Sequence, residues 1–220
     1  MYFFTADCHF GHANIIKYCH RPFKDVMEMD NEIIRRHNSV VTNDDVVVHL
    51  GDTTLGNKDF ANTYIKQLNG NHSFLKGSHD SWLGQQTPTM WDKKIDGQYI
   101  VGTHYCMRTW PRSHYGSWNV YGHSHGHMPP EGLQWDVGVD NNDFYPVSFD
   151  KLKEIMESLY KLEPVKEKQR LIQYKYQALG RWARKFMPRD VKGLHKDVVY
   201  EQLVMMCDPI IDEIEELEGE

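Results

Sequence analysis

The chain has 220 residues, 40% hydrophobic and 25% charged, with a formal net charge of −6. That is enough apolar material for one sizeable core, and no apolar run approaches the ~20 residues that carry a helix across a bilayer, so a helical membrane protein is not expected. The four cysteines, Cys8, Cys19, Cys106 and Cys207, are scattered with no C-x-x-C pair, which argues against a disulfide scaffold or a zinc knuckle. The opening stretch Met1 to Asp7 has no basic n-region or small-residue cleavage site, so the reading is a cytoplasmic protein with reduced thiols.

In chain order, short apolar strands are predicted at Met1 to Ala6, Asp45 to Leu50, His72 to Lys76, Gln98 to Val101, Trp118 to Tyr121 and Leu133 to Val139. Each of the first five runs directly into a polar cluster. The clusters are Asp7-Cys8-His9, Gly51-Asp52, Gly77-Ser78-His79-Asp80, Gly102-Thr103-His104 and Gly122-His123-Ser124-His125. Between the strands, helical spacing covers Lys24 to Val41, through Val26, Met27, Asp30, Ile33, Ile34, His37 and Val41. A second helix is predicted over Asp59 to Leu68, with Phe60, Tyr64, Ile65 and Leu68 on one face and Gly70 just past its end. Strands alternating with helices imply an α/β core, in which ligands sit beyond the carboxyl ends of the strands. The His and Asp clusters fall there.

After Asp150, read as an N-cap, only helical patterns remain: Lys151 to Leu162, Lys166 to Phe186, and Lys196 to Leu217 interrupted near Pro209. The chain is therefore divided into residues 1–150, carrying the clusters, and a helical appendage over residues 151–220. Charge follows blocks in the appendage, net +7 over residues 151–189 and net −8 over residues 190–220. The aromatics Tyr174, Tyr176 and Trp182 among Lys168, Arg170, Lys175, Arg181, Arg184 and Lys185 would suit a single-stranded nucleic acid. The near cancellation favours pairing of this basic segment with the acidic one that follows.

Thirteen histidines are the informative excess, since imidazole both ligates metals and moves protons near neutral pH. In an extended segment, residues two apart point to one side, so Asp7 with His9, and His123 with His125, are expected to share a face while Cys8 points away. Asp52 could bridge two ions, and mixed His and carboxylate donors suit Mn, Fe, Zn or Ni. Glycines beside these positions allow sharp turns and close backbone approach. Cys8 and Cys106 lie near the clusters, but no activating base is signalled, and they are read as packing.

The elements DxH, GD, a GNH[D/E]-like run, a His after a strand, and GHxH stand in order as Asp7-Cys8-His9, Gly51-Asp52, Gly77-Ser78-His79-Asp80, His104 and Gly122-His123-Ser124-His125. Over residues 1–150 the chain resembles the calcineurin-like metallophosphoesterases. Asp7 to Ile16, Arg21-Pro22-Phe23 and Asp136-Val137-Gly138-Val139-Asp140 resemble a small phage and bacterial subgroup of them. The resemblance implies a four-layer α/β/β/α sandwich. It also implies two divalent transition metals, one on Asp7, His9 and His125, the other on His104 and His123, with Asp52 bridging. Hydrolysis of a phosphomonoester or phosphodiester by hydroxide is the implied activity, a nucleotide or nucleic-acid end being favoured as substrate. His79 would protonate the leaving group and Asp80 would orient His79.

The one clear departure is Ser78, where the family places an Asn that ligates the second metal; a hydroxyl is a poorer ligand, and a weakened second site is expected. Arg108, four residues after His104, is assigned to a phosphate oxygen, with His12 and Asn14 lining the same cavity. The alternative is a metal-binding, weakly catalytic scaffold that recognises partners through its C-terminal helices.

Overall fold

The computed structural model describes residues 1–162, and the helices expected at Lys166 to Phe186 and Lys196 to Leu217 lie outside the described residues. The chain divides into two compact units, Met1–Tyr160 and Lys161–Glu220, and the fold below is that of the first.

The apolar runs become strands where β-branched and aromatic side chains fill a pleated, covered surface. β1 (Tyr2–Thr5), β2 (Val46–His49) and β3 (Asn71–Phe74) pair in parallel, and β8 (Val147–Ser148) joins β1 antiparallel, giving the order β3-β2-β1-β8. A second sheet has the order β4-β5-β6-β7, from β4 (Met90–Ile95), β5 (Gln98–Thr103), β6 (Trp118–Tyr121) and β7 (Gln134–Asp136). Here β5, β6 and β7 run parallel while β4 is antiparallel. Neither β4 nor β8 is visible as an apolar run. β4 is a largely exposed edge strand whose Asp92, Lys93 and Lys94 face water, and β8 is two residues long.

Phe4 and Val48 from the first sheet, Leu50 just past β2, and Ile100, Trp118 and Val120 from the second sheet share one buried cluster. A helix over residues 149–162 adds Leu152, Met156 and Leu159 to it, so residues 151–160, expected in the appendage, belong to the first unit. Its N-terminal cap is Ser148, whose Oγ accepts from Lys151 N at 3.1 Å; Asp150, read as the cap, already lies inside the helix.

α1 (Ala13–Tyr18), α2 (Val26–Val40) and α3 (Lys58–Ile65) belong to the layer beside the first sheet. There Met29, Ile33 and Leu68 pack with Phe10, Ile15 and Val139. Asp25 caps α2 by accepting from Glu28 N, and Asn57 caps α3 by accepting from Phe60 N. The buried face of α2 is Met29, Asp30, Ile33 and His37; Met27, expected on it, is exposed. The two sheets and their flanking helices form the α/β sandwich expected from the sequence. No helix among the described residues is long and apolar enough to cross a membrane.

Three histidines that carry no chemical expectation pack together. His37 Nε2 donates to Asn69 O (2.9 Å), and His72 Nε2 donates to Leu68 O (3.3 Å). His72 Nδ1 therefore accepts from His49 Nε2 at 3.0 Å, and His49 Nδ1 is buried with no partner among the described residues. Burial pushes His37 down to about 4 and His49 well below the usual imidazole range. The unfolded chain gains these protons near pH 6.5 and the folded chain does not, so stability is complete above that pH and falls as the pH drops toward 4. His37 alone is expected to remove on the order of 2 kcal/mol between pH 7 and pH 5. Urea unfolding of the metal-free chain should show that slope flattened in His37→Gln; equal slopes in both proteins would rule His37 out.

Candidate metal centre

Parallel strands place their carboxyl ends on one side of each sheet, and the polar clusters lie just beyond β1, β2, β3, β5 and β6. The isolated bridge Ala6 to Gly138 ties the end of β1 to the loop after β7. Hydrogen bonds Asp7 N to Gly51 O (3.0 Å), His9 N to Asp52 O (3.0 Å) and Phe10 N to Thr53 O (2.9 Å) run the first two loops side by side.

The loops are not extended, contrary to the expectation that alternation alone aligns the donors. Asp7, His9, Asp52, His123 and His125 have φ of 58°, 53°, 54°, 67° and 49°, all left-handed. Such conformations cost about 1 kcal/mol or more each outside glycine, and they persist where the surroundings over-determine them. Two glycines allow the close packing that does so. A Cβ on Gly77 would lie 2.2 Å from Asp52 Oδ1, and one on Gly122 would lie 2.7 Å from Asp7 Oδ2.

The result includes three sets built on these strand-end clusters, the donor atoms of each within 4.8 Å of one another: Asp7, His9 and His125; Asp52, His104 and His123; and His9, Asp52 and His79. Asp52 stands between them, its Oδ2 lying 3.8 Å from His9 Nε2, 3.4 Å from His104 Nε2 and 3.9 Å from His79 Nε2. Asp7 Oδ1, His9 Nε2 and His104 Nε2 are buried with no hydrogen-bond partner among the described residues. Three lone-pair-bearing atoms stranded together are costly as they stand, and a cation would satisfy all of them. Burial pushes the Asp7 carboxyl up to about 7 and His9 down to about 3, the response of groups desolvated without a counter-charge. Burial opposes the Asp52 charge too, but positive charge on His104 when that ring is protonated, together with the His79 N–H, outweighs it and holds the carboxyl low, a role a cation takes over once His104 is neutral. The donor chemistry therefore fits divalent transition metals.

Groups behind the donors aim them. His104 Nδ1 donates to Leu50 O (2.9 Å), which leaves Nε2 as the free lone pair. His125 Nδ1 donates to Asp140 Oδ2 (2.7 Å), and Asp140 is held by Arg21 through Nε and Nη2, both at 2.8 Å. The buried Arg21 also donates to the Asp7 and Cys8 carbonyls, locking the DxH loop from beneath. Arg21 and Asp140 were visible only as part of the subgroup resemblance, with no role attached, because their contact spans 119 residues. Replacing Asp140 by Asn is expected to weaken metal binding about 10–100-fold. Competition with a chromogenic chelator measures this, and unchanged affinity would refute the support assigned to Asp140.

Asp80 has a different task from the one expected. Its buried carboxylate accepts from Asp52 N (2.6 Å), Thr53 N (2.9 Å), Gly77 N (2.9 Å) and Trp82 Nε1 (3.0 Å), and among the described residues it does not bond His79. It clamps the Asp52 loop to the Gly77 loop. Ser78 Oγ donates to Asp52 Oδ2 at 2.9 Å, so it sits beside the candidate bridging carboxylate. His79 stands partly exposed at the rim, its ring 5.3 Å from that of His9. His12 reaches the cluster, with Nδ1 3.5 Å from His9 Nδ1, whereas Asn14 and Arg108 are exposed, and among the described residues no hydrogen bond or ion pair joins them to it. Cys8 is buried and its thiol is pushed up to about 12, in keeping with packing. Cys19 lies within reach of His125 and Asp140, but burial pushes its thiol up to about 11 and Asp140 is already engaged by Arg21.

No family model matches the chain. The uncharacterized protein MJ1445 of Methanocaldococcus jannaschii is 31% identical over 164 residues, covering 70% of this chain and 90% of that protein. A solved structure of a protein of unknown function from Aquifex aeolicus superposes with a TM-score of 0.55 at 22% identity, over 70% of this chain and 98% of that one, a likeness of fold. A predicted phosphoesterase from Streptococcus pneumoniae is more distant, with a TM-score of 0.34 at 17% identity over 62% of this chain and 70% of that one.

Proposed function

The chain belongs to the family of the M. jannaschii protein MJ1445, and from its strand-end chemistry we propose that it is a metal-dependent phosphoesterase. The supporting observation is the Asp52 carboxylate set between two His-containing donor groups, with Asp7 Oδ1, His9 Nε2 and His104 Nε2 buried and unpartnered around it. Asp7, His9 and His125 would hold one divalent metal and His104 and His123 a second, with Asp52 shared between them. Bound Mn, Fe, Zn or Ni would supply Lewis acidity and make water a nucleophile near neutral pH.

The chain's own groups do the rest. Asp140 and Arg21 fix the ring of His125, and Asp80 fixes the Asp52 backbone. His79, its Nε2 3.9 Å from Asp52 Oδ2 and its side chain partly open to solvent, would hand a proton to a leaving alkoxide. Phosphomonoesters and phosphodiesters both suit this arrangement, with a nucleotide as the favoured class.

The Ser78 hydroxyl takes a lone pair of Asp52 and offers a weaker ligand than a carboxamide. Ser78→Asn is expected to raise metal affinity at the site around Asp52, His104 and His123, and to raise release of p-nitrophenol from the mono- and bis-phosphate esters in manganese, by about 10-fold. Inactivity of both proteins would sink the phosphoesterase reading. The Ser78 to Asp52 bond also favours the second reading, a metal-holding scaffold with little catalysis. Partner binding that survives chelation and His79→Ala would support that reading.

A further inference from the structure

Beside the metal centre a cleft of about 380 Å³ is lined by Phe10, Gly11, His12, Leu55, Gly56, Asn57 and Phe60. Helical spacing puts Phe60 on the packing face of α3, yet 39% of it is exposed, and Leu55 next to it is 45% exposed. The Phe60 ring is nonetheless fixed. A Cβ on Gly11 would lie 2.4 Å from its Cζ and one on Gly56 2.1 Å from its Cδ1, so only glycines leave room for it there. Tyr64 meets Phe60 edge-on at 5.2 Å and stacks on the buried Phe10 at 4.7 Å. Asn57 at the rim is pinned by its cap bond to Phe60 N. A rigid aromatic wall left partly uncovered next to charged donors is a preorganised apolar surface.

His12 connects this cleft to the chemistry, because it lines the cleft and its ring lies 5.5 Å from His9 and 6.3 Å from His79. Resting on the phosphoesterase reading above, we propose that the cleft holds an aromatic group carried by the leaving alcohol of the substrate, with Phe60 as stacking wall and Leu55 as rim. An ester whose leaving oxygen meets His79 extends past His12 into the cleft. Its size admits one base with part of a sugar and is too small for a run of stacked nucleotides. The leaving alcohol thus bears an aromatic ring, and a nucleoside, a sugar alcohol carrying a base, is the biological class that fits.

The test compares kcat/KM for phenyl phosphate and methyl phosphate with the manganese-loaded full chain. The aryl-to-alkyl ratio is expected to fall about 10-fold in Phe60→Ala and about 3-fold in Leu55→Ser. Intrinsic leaving-group reactivity cancels because each substrate is compared across proteins. Phe60→Leu, which keeps an apolar contact with Tyr64, replaces Phe60→Ala if the latter does not fold. Independently of turnover, phenyl phosphate but not methyl phosphate should shift the Leu55 methyl NMR signals of the zinc-loaded chain. Hydrolysis with an unchanged ratio in both variants and no Leu55 shift would overturn the subsite and leave the phosphoesterase reading standing. No hydrolysis of either ester, in this chain or in Ser78→Asn, would overturn that reading, and the Leu55 shift would then decide the cleft alone.

Discussion

Asp52→Asn is expected to lower phosphoester hydrolysis by about 10³-fold, the equivalent of the several kcal/mol a shared carboxylate contributes by holding two Lewis-acidic ions. Asn has nearly the shape of Asp, so the backbone donor His79 N keeps an acceptor at 2.8 Å and the loop geometry is preserved. What is lost is the charge that faces His9, His79 and His104 together. Metal analysis of the purified variant should show fewer ions per chain, while circular dichroism of the metal-free form should match that of the parent. Full metal content with an unchanged rate would refute the bridging role of Asp52.

The second large effect separates two residues that the sequence motif presents as a pair. Asp80→Ala should destabilise the metal-free chain by about 3–5 kcal/mol, because it strands the Asp52, Thr53 and Gly77 amides and the Trp82 indole. His79→Ala, at a partly exposed position, should leave the unfolding midpoint within about 0.5 kcal/mol of the parent while lowering turnover about 10²–10⁴-fold. Urea titration and hydrolysis of p-nitrophenyl phosphate measure the two quantities. A stable Asp80→Ala protein with altered pH dependence of turnover would restore the expected dyad and refute the clamp.

The contrast shows where local reading fails. In sequence, Asp80 is one residue from His79, and adjacency suggests partnership. In space, the chain at Gly77 passes so close to Asp52 that the Asp80 carboxylate meets a row of backbone N–H groups first, and those donors take its lone pairs. Alternation in an extended chain predicts that the DxH and GHxH side chains share a face, and the left-handed backbone at Asp7, His9, His123 and His125 does not obey that rule. The geometry that converges these side chains comes from the loops packing on one another. Edge strand β4 was missed for a related reason, since polar residues facing water carry no apolar pattern.

Sequence by itself determined the α/β class, six strand positions within a few residues, and the order of the Asp and His clusters at the strand ends. These follow from apolar runs, glycines and short motifs, all local in the chain. Tertiary structure alone decided that Arg21 and Asp140 back His125, that Asp80 clamps the Asp52 loop, that Ser78 bonds Asp52, and that Phe60 stands uncovered beside His12. Such contacts join residues up to 119 apart, and loop packing around each carboxylate, rather than any short spacing, selects which donor it meets.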